Sequence, residues 1–212
     1  MSAACPPSIQ AIVDELVASW GAHTILLYGS RADGSAGPDS DWDIAAFADL
    51  PDVVRITRPF EATFLDVFVC PESQLETPTP EHLKLVGAVV LMERDGAGQR
   101  LLHRLDDLLS AGPAALPADE LQARRDWARK MLVRIRRGDA EGHYRRAWLL
   151  MALLEDYFAL RGLWYRGPKK SLSWLSRHDP AAHAAFVAAL EPGAPYDAIA
   201  ALVDIVLAGQ TG

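Results

Sequence analysis

Apolar residues recur at helical spacing near the start of the chain. Ile9, Ile12, Val13, Leu16, Val17 and Trp20 fall on one side of a 3.6-residue repeat, and Ser8 is placed to cap the first turn. The pattern then changes. Thr24-Ile-Leu-Leu-Tyr28 is a short unbroken apolar run closed by Gly29, which predicts a buried strand. Arg31 to Ser40 is rich in Gly, Ala, Pro, Asp and Ser and reads as a loop with room for one helical turn. Asp41–Phe47 predicts a second strand. Thr63–Cys70 predicts a third, with Phe64, Asp66 and Phe68 on one face and Leu65, Val67 and Val69 on the other. Val89–Glu93 predicts a fourth, followed by the turn pair Asp95-Gly96.

Strand signals stop there. Helical spacing runs through Gln99–Ser110, Pro117–Arg137, Glu141–Arg161, Ser171–Arg177, Pro180–Leu190 and Tyr196–Ala208, with Pro and Gly between the segments. A mixed α/β half followed by a helical half predicts an α+β chain of two domains, residues 1–112 and 113–212. No internal repeat or low-complexity tract interrupts this order.

Composition removes several classes. Half of the 212 residues are hydrophobic and 23% are charged, an ordinary globular balance that excludes disordered and fibrous chains. No window approaches ~18 uninterrupted apolar residues, so no membrane span is expected. The first residues lack a basic stretch leading into an apolar one, so no secretory signal is expected either. Two cysteines, Cys5 and Cys70, make neither a disulfide framework nor a four-thiolate zinc site. The expectation is a reduced, cytoplasmic protein, with a homodimer compatible with the sequence.

Charge is uneven. Residues 1–112 carry 7 basic and 17 acidic side chains, net −10, and residues 113–212 carry 14 basic and 11 acidic, net +3. Arg124, Arg125, Arg129, Lys130, Arg134, Arg136 and Arg137 read as a solvated helix face. Overall acidity and the lack of a basic run interleaved with aromatics argue against stable nucleic-acid binding.

The stretch from Leu27 to Ile44 carries the chemistry. A strand ends in Gly29-Ser30, a loop follows, and the next strand opens with Asp41-Trp42-Asp43-Ile44. Spacing of i, i+2 on a strand sends Asp41 and Asp43 to one face. Side-by-side carboxylates repel, and a divalent cation removes the conflict, since hard Mg²⁺ favours carboxylate and phosphate oxygens. Asp66 is a third acid in an otherwise apolar run, so it has a partner or faces a site. If the second and third strands are neighbours, three carboxylates converge, enough for two Mg²⁺ ions in a phosphoryl- or nucleotidyl-transfer centre. Gly29 lets backbone approach a phosphate, and Ser30 offers a hydroxyl and an N–H to it. No Walker A or dinucleotide fingerprint occurs.

Gly29-Ser30, the spacer, Asp41-x-Asp43 and the later strand acid Asp66 resemble the nucleotidyltransferase superfamily related to DNA polymerase β. They are most similar to its small bacterial members, the minimal nucleotidyltransferases and the aminoglycoside and lincosamide nucleotidyltransferases. The resemblance spans about residues 25–70. It implies a nucleotidyltransferase-type mixed sheet with flanking helices, followed by a C-terminal helical bundle. It also implies that Asp41 and Asp43 bridge the metals carrying the triphosphate, that Asp66 completes the metal site on the acceptor side, and that Gly29 and Ser30 hold the β- and γ-phosphates. Arg31 either assists there or is a surface residue.

Glu155 to Leu175 resembles, more loosely, the helical domain of the antibiotic-type enzymes. There Lys169 and Lys170 either meet the triphosphate or are exposed turn lysines. The proton acceptor is expected at Glu155, with Asp156 and Asp66 as alternatives. Trp164, Tyr165 and Trp174 either wall an acceptor pocket or pack in a core. Arg137 and His143 have an Arg-x5-His spacing seen in helical ribonucleases, but Gly138 and Gly142 inside the spacer argue against one continuous helix and for a surface pair. The implied activity is transfer of a nucleoside monophosphate, AMP from ATP, onto a hydroxyl of a small molecule. The alternatives are AMPylation of a protein and a non-catalytic module.

Overall fold

The structure is a computed structural model that describes residues 7–208, with side chains from Ile9 onward. Cys5 and the capping side chain expected of Ser8 lie outside them; the first helix begins at Pro7. The chain is α+β and divides between Ala111 and Gly112 into two compact units.

The first unit runs α1 (Pro7–Trp20), β1 (Thr24–Tyr28), α2 (Ser30–Asp33), β2 (Trp42–Ala48), β3 (Val54–Phe60) and β4 (Thr63–Pro71). Two 3₁₀ helices (Glu72–Leu75 and Pro80–Leu85), β5 (Val89–Met92) and α3 (Ala97–Ala111) follow. The strands form one sheet in the order β3-β4-β2-β1-β5. β2 and β4 are parallel and the other neighbours antiparallel. Side-chain alternation gives the sheet two faces. On one, Ile25, Leu27, Ile44, Ala46, Leu65, Val67 and Val69 share a core cluster with Ile9, Ile12, Val13 and Leu16 of α1. That is the helix face the apolar spacing marked; Val17 and Trp20 stay at the surface. On the other, α3 and the second 3₁₀ helix pack toward β1 and the first 3₁₀ helix toward β2 and β4, and Leu26, Phe47, Leu75, Leu83, Leu85, Leu101 and Leu105 are buried.

The sheet has five strands, not the four expected. The strand expected third is β4, and the addition is β3. Val54-Arg-Ile-Thr-Arg-Pro-Phe60 holds two arginines and a proline, yet its residues alternate between half-buried and exposed along its whole length. It lies at the sheet edge, where a residue without an N–H is tolerated at Pro59. β2 begins at Trp42, so Asp41 stands just ahead of the strand.

The second unit is helical throughout its described residues: α4 (Ala118–Arg134) with a 3₁₀ extension Ile135–Arg137, α5 (Ala140–Ala159), α6 (Gly167–His178), α7 (Pro180–Leu190) and α8 (Tyr196–Leu207). Met131, Leu149, Leu153, Phe158, Leu175, Phe186 and Leu202 are among its core residues. Gly138, at φ +66°, ends the α4 extension in a left-handed turn. Asp139 then caps α5 by accepting from the Gly142 N–H at 2.8 Å. Arg137 and His143 therefore do not share a helix, and Arg137 pairs with Asp139 and Glu141. Arg124, expected on the solvated face, instead donates to buried Asp156 at 2.8 Å and also reaches Glu120. Burial pushes the Asp156 carboxyl up and the Arg124 guanidinium pulls it down.

Asp179 ties two helices together. Its carboxylate caps α7 through the Ala182 N–H at 3.0 Å and accepts from the Tyr157 hydroxyl at 2.6 Å. The Tyr157 bond, then the backbone bond, holds the Asp179 carboxyl below the usual carboxylate range. Burial and this bond push the Tyr157 hydroxyl up to about 12. A carboxyl lowered by folding stabilises the fold at pH above its unfolded value, and that contribution is lost as pH falls through the folded value. Asp179→Ala is therefore expected to cost about 1–2 kcal/mol at pH 7 in urea unfolding. The difference between variant and wild type should shrink steadily as the pH is taken below about 4.

Candidate active site

Strand register sets the site. Tyr28 on β1 pairs with Asp43 on β2, Asp43 pairs with Asp66 on β4, and Asp66 pairs with Thr57 on β3. These four residues form one transverse row, so their side chains emerge on one face. It is the face opposite α1, at the strand end away from buried Phe47 and Cys70. The next row inward is Leu26, Ala45, Phe68 and Arg55.

Asp66 is held by its neighbours on the edge strand. Arg55 donates from Nε to Oδ1 at 2.9 Å and from Nη2 to Oδ2 at 2.8 Å, and Thr57 Oγ1 donates to Oδ1 at 3.1 Å. The Arg55 fork is the main cause holding the Asp66 carboxyl below the usual range; burial works against it, and Thr57 and Lys84 add to it. The Asp66 side chain is 19% exposed and that of Arg55 60%. Arg55 also lies 5.2 Å from the Phe68 ring centroid. Lys84 Nζ lies 3.6 Å from that centroid and 5.5 Å from that of Tyr28. Burial, then the negative charge of Asp43 and Asp66, raises the Tyr28 hydroxyl well above its ordinary value, so it remains a proton donor.

Gly29 and Asp43 fit each other. Gly29 has φ +74°, a conformation a side chain disfavours, and a Cβ there would overlap the Asp43 carboxylate oxygen Oδ2. The Gly29 carbonyl accepts from the Ala32 and Asp33 N–H groups at 3.1 and 3.2 Å, turning the chain into the single turn of α2. Ser30 opens that turn and is half-buried. Arg31 is engaged elsewhere: it donates to the Ser40 carbonyl at 2.6 and 3.0 Å and to the Asp41 carbonyl at 3.2 Å, and its guanidinium covers the Trp42 ring at 4.1 Å. It clamps the far end of the 34–40 loop to α2. Asp41, exposed, accepts from the Phe64 N–H at 3.2 Å.

Of the three expected acids, the fold makes Asp43 and Asp66 register partners and leaves Asp41 at the entrance to β2. Among the described residues, no three His, Cys, Asp or Glu side chains are grouped so as to hold a metal ion. The pair alone suits a divalent cation in donor chemistry. Two carboxylates are fixed side by side on packed strands, and one has drawn a guanidinium cation onto both its oxygens.

In the second unit, Glu155 is exposed on α5 beside buried Asp156. Lys169 and Lys170 lie in the first turn of α6, exposed and half-buried respectively. Trp174 packs edge-on against Phe158 at 5.5 Å and stacks on His178 at 4.4 Å, and Tyr165 lies 6.3 Å from Phe158. Those two rings, expected in a pocket wall or a core, both pack on Phe158 of α5. Trp164 is half-buried.

Arg55, Thr57, Lys84 and Tyr28 escaped the sequence reading. The first two sit on the missed strand, where the short alternation Val54-Arg55-Ile56-Thr57, broken at Arg58, was the available signal. Lys84 comes from a 3₁₀ helix whose position over the sheet no local pattern reports.

No protein-family model matches the sequence, and no curated protein matches it. A solved structure similar to this chain is that of a nucleotidyltransferase-like protein from Exiguobacterium sibiricum 255-15. The two are 12% identical, with 95% of this chain and 71% of that one covered, at a TM-score of 0.43. At that distance the function is argued from the site alone.

Gly29→Ala is expected to destabilise the protein by about 1–3 kcal/mol, through the left-handed backbone and the overlap with Asp43. Adding Asp43→Ala should recover part of the loss, since it removes the overlap but not the backbone strain. Urea unfolding of the two single variants and the double variant measures both contributions.

Proposed function

We propose that the chain is a Mg²⁺-dependent nucleotidyltransferase that moves AMP from ATP onto a hydroxyl of a small molecule, such as an aminoglycoside- or lincosamide-like antibiotic, and releases pyrophosphate. The observation that carries this is the placement of Asp43 and Asp66 as lateral partners beside the Gly29-Ser30 turn, with Asp43 pressed on Gly29. Neighbouring carboxylates next to a half-buried backbone turn suit a substrate that brings phosphates and cations together.

Asp41, Asp43 and Asp66 would hold the ions. Bound Mg²⁺ supplies neutralisation of the phosphate charge and polarisation of the α-phosphorus. Gly29 and Ser30 offer backbone N–H groups and the Ser30 hydroxyl to the β- and γ-phosphate oxygens, orienting the leaving group. In the transfer, the acceptor oxygen bonds to the α-phosphorus, and the bond from that phosphorus to the bridging oxygen of pyrophosphate breaks. The hydroxyl proton passes to a carboxylate oxygen of Asp66, which shares the sheet face with Asp43. Glu155, expected as proton acceptor from the sequence, is the alternative. Lys169 and Lys170 remain proposed triphosphate contacts. Arg31, engaged with Ser40, Asp41 and Trp42, serves the site by fixing the loop that leads into Asp41.

A non-catalytic reading has one observation in its favour: both oxygens of Asp66 are already bonded to Arg55. Incubation with Mg²⁺, each labelled nucleoside triphosphate, and panels of aminoglycosides, lincosamides and purified proteins separates the readings. Label is expected to pass from ATP to a small molecule. Passage to a protein supports AMPylation, and no passage supports the non-catalytic reading. Asp43→Asn and Asp66→Asn are each expected to reduce transfer at least ~100-fold with far-UV circular dichroism unchanged. Glu155→Gln is expected to cost less than about tenfold; a loss equal to that of Asp66→Asn would move the proton-accepting role to Glu155.

A further inference from the structure

We propose that Arg55 is a tethered counter-ion of the site: its guanidinium occupies Asp66 while no divalent ion is bound and leaves when one enters, so that Arg55 sets the ion concentration at which the site fills. This rests on Asp43 and Asp66 being ion ligands. Four observations converge on it. Asp43 and Asp66 are direct partners in a parallel pair, so the backbone forces the two carboxylates together. Arg55 answers with a two-pronged bond to both oxygens of Asp66, the electron pairs an ion would need.

The remaining two concern how Arg55 is mounted. It springs from the edge strand β3, one row inward of Asp66, and its side chain is 60% exposed. The guanidinium can therefore swing into water without opening the core, while Thr57, directly opposite Asp66, keeps its bond to Oδ1 and holds the carboxylate's orientation. An exposed ion pair is also weak enough to exchange, and a divalent ion carries twice the charge of the guanidinium. Arg55 is thus a positioning residue acting through Asp66.

Mn²⁺ alone serves as the probe, with free ion counted by electron paramagnetic resonance on the full chain, without nucleotide. Wild type, Arg55→Gln, Asp66→Asn and the double variant complete a cycle, with Asp43→Asn as the site control. Arg55→Gln is expected to lower the Kd about two- to fivefold, the range an exposed ion pair allows. The gain should vanish in the Asp66→Asn background. An unchanged or weaker affinity in Arg55→Gln overturns the proposal. So does a gain that survives in Asp66→Asn, which would mark Arg55 as a general positive field. Mn²⁺ binding that Asp43→Asn abolishes, with no effect of Arg55→Gln, sinks the Arg55 role and leaves the ion site standing. No Asp43-dependent binding in any variant removes the site and the Arg55 role together. Melting temperatures in EDTA verify folding. Should Arg55→Gln not fold, Arg55→Lys, which keeps the charge and loses the fork, takes its place with an expected gain of about twofold.

Discussion

Two carboxylates on neighbouring strands, in register, are a fixed electrostatic cost. Strands lie about 4.8 Å apart, so in-register carboxylates leave the sheet on one face at close range. β2 and β4 run parallel with Asp43 opposite Asp66, and packing against α1 and the first 3₁₀ helix leaves neither strand free to slide. A one-residue slip would turn Ile44 and Val67 out of the core. The sheet therefore holds the repulsion in place, and something positive must answer it. Arg55 does so through its fork on Asp66, from an exposed position. The cation site proposed above rests on that row.

The surrounding features follow from that row. Gly29 is needed because Asp43 lies against it, and because the chain must turn through a left-handed conformation straight after β1. Tyr28, buried next to Asp43, keeps its proton because burial, then the negative charge of both acids, raises its hydroxyl. Lys84 caps Phe68 and Tyr28 from the 3₁₀ helix and supplies a second positive charge. Arg31 ties the loop between the two motif halves into a closed unit, so that the long spacer reaches Asp41 in a defined place. The helical unit is built on different devices: a buried Arg124–Asp156 pair and the Asp179 cap shared by Tyr157 and α7. It accounts for some of the basic residues that a charge count sets apart, since Arg124 and Arg137 are matched locally to acids.

Much was legible in the sequence because it is local. The β1 run, the Leu65-Val67-Val69 face of β4, the span of α7 and the Gly138 break each depend on residues within a few positions of one another, and each appears where the pattern put it. The strand at Val54–Phe60 was not read, since Pro59 and two arginines oppose a strand on propensity, and only its edge position, a property of the assembled sheet, permits them. Asp41 was read as part of β2, yet pairing begins one residue later, and a hydrogen bond from β4 fixes it instead.

The sequence by itself determined where the candidate residues stand: acids at 41, 43 and 66 and a Gly-Ser turn at 29–30 are covalent facts, and strand periodicity fixes which of them can share a face. Tertiary structure alone decided which neighbours those acids have. Asp43 meets Asp66 only because β4 pairs with β2 in parallel register, and Asp66 meets Arg55 and Thr57 only because an unforeseen edge strand pairs beside it. Register between strands is settled by the summed packing of two whole faces, a long-range quantity that no local window of residues contains.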